Sequence, residues 1–382
     1  MIKKLIYHPV KRQLAKNYLF FLKKFTDIKV IGITGSVGKT TTKEMVASVL
    51  SQKYKIRVSY ANIDPVYNIP TTILKTTPGT KVLVLEMGVD HKGDMDFYLA
   101  LSKPDIGILT NIYWTHTEFF GDIEGVAREK GKLIAGLSQK GLAIVNGDDR
   151  LVKQISEKTK AKVILYGLGR GCEIKAQDIK VINLQTTFTL NFDQQLIEIT
   201  LPVLGAHFVY AALAAAAVGL SFNVEPEDIK LGLESFIPTP HRLQPVTTKS
   251  GAIILDDTYN SSPLGAKAAI DTLIEVGKGK KTAAVLGDML ELGDYTEKGH
   301  QEVGEWVAKK KIDNLICFGQ FAPFLVEGAR NGGMKNNQII IVPSENILKK
   351  AIKDSLDRNV VMLLKASRKL KFDELVKMAE KL

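Results

Sequence analysis

The chain has 382 residues, 45% apolar and 24% charged, proportions typical of a folded protein that exclude wholesale disorder. Lys and Arg exceed Asp and Glu by 52 − 41 = 11, a surplus that suits phosphorylated or anionic partners, and we expect no nucleic acid among them. Two distant cysteines exclude a disulfide framework and a zinc site, and no apolar run approaches the roughly 18 residues that cross a bilayer, so we expect a cytoplasmic protein.

Residues 1–26 are basic and contain no acid. Lysines and arginines alternate with apolar residues, and the run lacks the long apolar core and the cleavage site of a signal peptide. We predict a basic N-terminal helix over residues 1–27. Either it packs its apolar stripe on the next domain and exposes its lysines, which is the favoured interpretation, or it contacts an anionic membrane surface as a peripheral helix.

From residue 28 onward, apolar strands alternate with helical segments, which predicts a parallel sheet covered by helices. Between residues 173 and 201 the pattern changes to short runs in which apolar and polar residues alternate, which predicts antiparallel strands at the sheet edge. A helix pair at 210–220 and 226–236 precedes a domain boundary predicted near Pro240. The predicted strands of the parallel series are 29–34, 81–87, 106–112, 142–147 and 162–167.

A second α/β series of about 140 residues, an ordinary domain size, completes the chain. Its predicted strands are 252–257, 282–289, 314–319, 338–342 and 359–367. The predicted fold is therefore α/β. A central P-loop parallel-sheet domain with an antiparallel edge covers residues 28–240, and a smaller Rossmann-like domain covers residues 241–382.

A glycine-rich turn, GITGSVGKT, follows the first strand and opens a helix. Glycines let backbone N–H groups converge on phosphate oxygens, and the helix N-terminus adds the positive end of its dipole. Lys39 would hold the β- and γ-phosphates, and Thr40 would take a magnesium position. The spacing departs from a strict P-loop, because Gly32 comes one residue early and Gly35 lies inside the loop. A turn that merely joins strand and helix is the alternative interpretation.

Possible metal ligands follow the neighbouring strands. Glu86 ends the second strand, and His116 and Glu118 follow the third, so all three are expected at the ligand-binding edge of the sheet. One carboxylate, Thr40 and phosphate oxygens would suit magnesium. The residues alone leave open whether these side chains bind metal or are ordinary loop residues.

Several motifs, in order along residues 28–382, resemble those of the Mur ligases. The segments DDTYNSSP, LGDMLELG followed by His300, and KASR are most similar to the branch that adds D-alanyl-D-alanine. The full set is GITGSVGKTTTKE, LVLEMG, LTNIYWTHTEFFGD with REKGKL, LGAHFVYAALAAAAVGL, PHRLQPV, ILDDTYNSSP, VLGDMLELG and LKASRKLKFDEL.

The resemblance implies an ATP-dependent, ADP-forming ligase of peptidoglycan biosynthesis with Mg²⁺ as cofactor. A substrate carboxylate would attack the γ-phosphate, and the amine of D-alanyl-D-alanine would then displace phosphate from the acyl phosphate. Lys39, Glu86, His116, Lys130 and Arg242 would be catalytic. Lys130 would be carbamylated to N6-carboxylysine, and with His116 it would serve a second magnesium, while Thr40 and Glu86 serve the first.

The resemblance also implies a nucleotide site and a substrate site. The substrate residues would be Asn68, Asn260, Ser367 and Arg368. The nucleotide residues would be Gly35, Ser36, Val37, Gly38, Lys39, Thr40, Thr41, Asn111, Arg242, Asp256, Asp257, Tyr259 and Asn260.

Two departures from the family pattern bear on the substrates. The family's Gly-x-His-Asn-x2-Asn, whose asparagines address adenine, reads GAHFVY at residues 205–210, so we expect adenine to stack on Phe208 or Tyr210. Family members carry a UDP-binding domain before the phosphate loop, where only about 30 residues stand here, too few for a folded domain. We therefore expect that domain to be missing.

Two other functions stay open at this point. One is a Mur-type ligase for a different carboxylate, such as a tetrapyrrole, a pseudomurein-type peptide or a polyamide. The other is a nucleotide-binding assembly protein without ligase activity. The intact set of candidate catalytic residues favours a ligase.

Overall fold

The computed structural model describes residues 8–60, 63–115 and 117–382. The described strands are β1 (Lys29–Thr34), β2 (Ile56–Val58), β3 (Val82–Glu86), β4 (Ile106–Leu109), β5 (Leu142–Asn146), β6 (Lys162–Gly167), β7 (Ile174–Ile182), β8 (Gln185–Phe192), β9 (Gln195–Leu201), β10 (Gln244–Thr247), β11 (Ile253–Asp256), β12 (Lys281–Gly287), β13 (Asn314–Phe318), β14 (Ile339–Val342) and β15 (Val360–Lys365).

Helices separate most of these strands. They are α1 (His8–Phe25), α2 (Lys39–Ser51), α3 (Pro65–Leu74), α4 (Asp94–Ser102), α5 (Thr117–Phe120), α6 (Ile123–Ala135), α7 (Arg150–Ser156), α8 (His207–Ser221), α9 (Pro226–Glu234), α10 (Pro263–Val276), α11 (Thr296–Lys309), α12 (Ala322–Asn331), α13 (Glu345–Ser355) and α14 (Phe372–Ala379).

The first sheet has the order β2-β3-β1-β4-β5-β6-β7-β8-β9. The pairs from β2 to β7 are parallel, and β7, β8 and β9 are antiparallel. This confirms the predicted parallel sheet with an antiparallel edge. Its strands are buried because helices cover both faces, with α2 and α8 on one side and α1, α3, α4 and α6 on the other.

The second sheet has the order β10-β11-β15-β12-β13-β14. It is parallel except for β10, which pairs antiparallel with β11. Mixed α/β architecture is thus confirmed for both sheets. The first sheet ends at Leu201 and the second begins at Gln244. The exact domain boundary near Pro240 stays a prediction.

The structure differs from the predicted elements in three places. The short strands β2 and β10 were not predicted, because three or four half-buried residues give too little periodicity to detect. The strand predicted over 106–112 ends at Leu109, since the next two residues turn to bind the loop after β1. The part of the predicted N-terminal helix before residue 8 lies outside the described residues.

Helix α1 lies against α3 and α4. Ala15, Leu19 and Leu22 are buried in this contact, Tyr18 Oη donates to Thr76 O at 2.7 Å, and Lys23 pairs with Asp105 at 3.0 Å. No helix of the described residues is both long and apolar enough to cross a membrane.

Candidate active site

The glycine loop, residues 35–38 between β1 and α2, is held by the end of β4. A Cβ at Gly35 would lie 1.9 Å from Thr110 Oγ1, and Gly38 has a φ of 86°, so both positions require glycine. Asn111 accepts from Val37 N and donates to Val37 O, each at 2.9 Å. Its amide therefore fixes the shape of the loop.

The first residues of α2 bring a lysine and a hydroxyl to this loop. Lys39 Nζ donates to Gly35 O at 2.9 Å and to Ser36 O at 3.2 Å. Burial lowers the pKa of Lys39, and the Arg242 charge lowers it further, against the raising effect of Glu86. Thr40 Oγ1 donates to Glu86 Oε1 at 2.9 Å. The carboxylate at the end of β3 and the hydroxyl predicted to bind magnesium are thus in contact.

Lys43 is a further charged group at this site that was not predicted from the sequence. Its side chain is fully buried, and its Nζ lies 3.4 Å from Glu86 Oε2 and 3.0 Å from Glu44 Oε1. Glu86 is therefore held between the Thr40 hydroxyl and the Lys43 ammonium. Lys43 follows Lys39 by one helical turn, on the same face of α2, which is the only signal that could have indicated it.

Lys130 lies on α6 with no exposed surface. Its Nζ has no hydrogen-bond partner among the described residues. Burial lowers the pKa of Lys130 well below the ordinary lysine value, and the Lys39 ammonium lowers it further. The surroundings of Lys130 therefore favour the uncharged amine, which is the nucleophilic form, more than water does around an exposed lysine.

A cavity of about 670 Å³ opens between the glycine loop and the second sheet, a size suited to a nucleotide-sized ligand. Arg242 and Tyr259 line it from the C-terminal side, with the Arg242 Cζ 4.3 Å from the Tyr259 ring centroid. Arg242 Nη2 lies 3.5 Å from Thr40 Oγ1, and its buried Nε has no partner among the described residues. Two separate sheets thus direct cations into one cavity.

A smaller cavity of about 260 Å³ adjoins the first, since Thr40, Glu86 and Tyr259 line both. Asn68, at 3% exposed, lines the smaller cavity. Its side chain accepts from Tyr60 N at 3.1 Å and donates to Tyr60 O at 2.7 Å. Asn68 therefore shapes the cavity wall through the backbone at residue 60.

The paired aspartates after β11 differ in their surroundings. Asp257 lines the larger cavity and accepts from Lys365 Nζ at 2.5 Å. Asp256 is buried away from it and contacts His241 Nδ1 at 2.7 Å and Thr258 Oγ1 at 2.6 Å. Of these two predicted nucleotide residues, only Asp257 lines the cavity. Lys365, which the sequence analysis did not select, also lines it.

The remaining predicted site residues differ in whether they line a cavity. Thr41 and Asn260 line the larger one, while Ser367 and Arg368 line neither. Buried Ser367 accepts from the backbone N of Leu290 at 2.9 Å, so it acts on a lining residue instead, and Arg368 is exposed. His116 lies outside the described residues.

The segment between β4 and α5 contacts the C-terminal half of the chain. Trp114 packs on Tyr295 with ring centroids 4.7 Å apart, and Thr117 Oγ1 donates to Leu292 O at 2.7 Å. The next residue, Glu118, is exposed and lines neither cavity. The sequence predicted only metal ligands in this segment. In the structure, the segment also joins the unit of the first sheet to the unit of the second sheet beside the cavity.

Residues 33–219 match the Mur ligase middle domain, and residues 241–368 match the Mur ligase, glutamate ligase domain. The UDP-N-acetylmuramoyl-tripeptide--D-alanyl-D-alanine ligase of Bacillus subtilis is 38% identical over 96% of this chain and 78% of its own length. The chain belongs to the Mur ligase family. The family resemblance expected from the motifs is confirmed.

Solved structures of the family share this fold. Structure I of MurF from Acinetobacter baumannii matches with a TM-score of 0.87 and 28% identity over 98% of this chain and 80% of that one. MurF from Thermotoga maritima, solved in complex with ADP, matches with a TM-score of 0.86 and 25% identity over 98% and 83%.

In this Mur ligase, the residues predicted to stack on adenine both line the larger cavity. Phe208 is buried at 6% exposed, with its ring centroid 4.2 Å from that of His207. Tyr210 Oη donates to Asp148 Oδ2 at 3.0 Å, which holds the ring in place. Burial lowers the pKa of His207 to about 4, so this imidazole is neutral at physiological pH.

Replacing Lys43 by methionine tests the buried charge cluster. Lys43→Met leaves Glu86 without its ammonium partner, so we expect a loss of about 2–3 kcal/mol in the free energy of unfolding, measured by urea denaturation. Adding Glu86→Gln should make the Lys43→Met effect smaller. The control Lys349→Met removes the exposed pair with Glu345 and should cost about 1 kcal/mol or less. Equal losses in both single variants would contradict the cluster.

Replacing Lys130 by methionine tests its lowered pKa. Between the lowered pKa of the folded protein and the ordinary value of 10.5, the unfolded chain binds this proton more strongly than the folded protein does, so wild-type stability rises with pH towards 10.5. Lys130→Met should therefore be more stable than wild type near neutral pH, with the difference shrinking towards about pH 10. Urea unfolding in CO₂-free buffer measures this. For the exposed control Lys140→Met, the difference in unfolding free energy from wild type should not change with pH. If the difference for Lys130→Met were also independent of pH, the lowered pKa of Lys130 would be refuted.

Proposed function

We propose that this Mur ligase adds D-alanyl-D-alanine to a peptidoglycan-precursor peptide, with ATP converted to ADP. The similarity to ligases of that name, which extends over both sheets, supports this choice. The observation that carries it is the convergence of Lys39, Arg242 and Glu86 on one cavity beside the glycine loop. Such a site can hold a nucleoside triphosphate and neutralise charge during phosphoryl transfer.

The geometry supports distinct roles for the two cavities. The larger would hold ATP, with its phosphates at the glycine loop and Lys39, its ribose at Asp257, and its base near Tyr210. The smaller, which shares Thr40, Glu86 and Tyr259 with the first, would hold the acceptor peptide, with its carboxylate at the shared wall on the side of Arg242. Attack of that carboxylate on the γ-phosphate gives an acyl phosphate, which the dipeptide amine converts to the amide with release of phosphate. Lys39 and Arg242 bring these anions together and offset their repulsion.

The residues present fit magnesium. No cluster of three or more Asp, Glu, His or Cys that could hold a metal occurs in the described residues, but Mg²⁺ commonly takes one or two protein oxygens together with phosphates and water. Thr40 and Glu86, already in contact, would supply those oxygens, and Lys43 keeps Glu86 in position. The bound ion would neutralise charge on the transferring phosphoryl group.

Lys130 fits the proposed N6-carboxylysine. Burial lowers the pKa of Lys130, and its Nζ has no hydrogen-bond partner among the described residues. In its unprotonated form such an amine can attack CO₂, form an N–C bond and release a proton, giving a carbamate. That anion would lie within the electrostatic reach of Lys39, the second-largest influence on the pKa of Lys130. With His116, it would hold the second magnesium.

We further propose the domain division predicted from the sequence, residues 28–240 and 241–382 after the basic helix, and a cytoplasmic location. The division is supported by the separate strand sets of the two sheets.

A product assay tests the proposed function. Phosphate release from ATP should require both UDP-N-acetylmuramoyl-tripeptide and D-alanyl-D-alanine, and mass spectrometry should detect the joined peptide. Lys39→Ala should lower the rate at least 100-fold, because the lysine offsets charge on the transferring group, a loss of about 3 kcal/mol. ATP turnover without a joined product, or a Lys39→Ala rate within a few-fold of wild type, would exclude the proposal.

A second assay isolates Lys130. Lys130→Ala should be nearly inactive and should regain part of its rate with acetate or propionate, since a small carboxylate replaces the carbamate anion. Carbon-13 NMR of wild type in labelled bicarbonate should show a carbamate signal that Lys130→Ala lacks. Lys140→Ala, at an exposed lysine, serves as the control and should keep both signal and rate. Full activity of Lys130→Ala would rule out the carbamate role.

A further inference from the structure

Helix α1 has two apolar faces, and packing uses only one of them. Ala15, Leu19 and Leu22 are buried against the first sheet's helices. On the outer side, large apolar side chains remain exposed to solvent, with Phe20 at 69% and Phe25 at 62%. We call this set the outer face of α1: Val10, Leu14, Phe20, Phe21 and Phe25.

Four of the five residues of the outer face form a stripe, and Phe20 lies beside it. Val10, Leu14, Phe21 and Phe25 are spaced by four, seven and four residues, which places them on one line along a helix. The Phe21 and Phe25 ring centroids are 4.5 Å apart. Contiguous exposed apolar surface of this kind is uncommon on a soluble protein unless it binds something.

The charge of α1 indicates what it binds. The helix contains no Asp or Glu, and exposed Lys16 and Lys24 border the stripe, while the whole chain carries a net charge of +11. Phenylalanines flanked by lysines are the composition of helices that lie in the interface of anionic membranes.

We propose that the outer face of α1 docks this enzyme on an anionic lipid surface, with the phenylalanines at the acyl boundary and the lysines at the headgroups. The buried face holds α1 to α3, through Tyr18 and through the bond from Lys11 Nζ to Thr71 Oγ1 at 2.7 Å. The first turn of α3, with Pro65 and Asn68, lines the smaller cavity. Docking would therefore place the membrane on the side of the first sheet that α1, α3 and α4 cover.

Vesicle flotation with the full chain tests the proposal. Wild type should float with vesicles of phosphatidylglycerol and phosphatidylcholine in equal amounts, and not with phosphatidylcholine alone. The triple variant Phe20→Ser, Phe21→Ser, Phe25→Ser should bind at least about tenfold more weakly, because it removes most of the apolar area of the stripe. A matched control replaces three exposed apolar residues elsewhere, Leu196→Ser, Leu231→Ser and Ile237→Ser, and should bind as wild type.

Further measurements separate the possible occupants. Lys16→Gln with Lys24→Gln should weaken binding about fivefold per lysine and reduce its salt dependence. Circular dichroism and the ligase rate in solution should match wild type in every variant, which shows that folding and catalysis are intact. Equal flotation of the triple variant and its control would overturn the proposal. So would a dimer in sedimentation that the triple variant abolishes while vesicle binding is absent, since the outer face would then bind a second copy.

Discussion

The desolvation of lysine side chains around the glycine loop is the constraint on which the rest of the site depends. Burying an ammonium is costly unless it is paired or loses its proton. Each lysine meets this cost in a different way. Lys43 lies between two carboxylates, Lys39 donates to carbonyls of the loop, and burial lowers the pKa of Lys130 well below the ordinary lysine value. Such a site suits anionic ligands, because they add negative charge beside the buried lysines.

The two sheets contribute to this arrangement in different ways. Parallel strands β1, β3 and β4 end at one edge of the first sheet, which brings the glycine loop, Glu86 and Asn111 together regardless of their separation along the chain. The second sheet adds Arg242 and the Asp257–Lys365 pair from the other side of the cavity. The contact between Trp114 and Tyr295 joins the two sides, so the spacing of cations across the cavity depends on packing between the units.

Most of the fold was predictable because the spacing of apolar residues along the chain indicates its helices and strands. The parallel strands β1, β3, β4, β5 and β6 and the antiparallel edge from β7 to β9 follow from apolar runs and alternation, and the structure has them near the predicted positions. The features that were not predicted depend on contacts with residues far away in the sequence. β2 is a strand because it pairs with β3, and β4 stops at Leu109 because Thr110 and Asn111 bond to the glycine loop. Short elements carry too few residues to indicate such pairings.

The sequence by itself determined the phosphate-type loop, with Lys39 and Thr40 at the start of a helix, because glycine conformation and helix geometry are properties of neighbouring residues. Only the tertiary structure decided which charged groups work with it. It buries Lys43 beside Glu86 and lowers the pKa of Lys130 by burying its amine, it turns Asp257 but not Asp256 to the cavity, and it exposes the second apolar face of α1. The physical reason is that burial and electrostatic interaction depend on distances in space, and those are set by residues far apart in the chain.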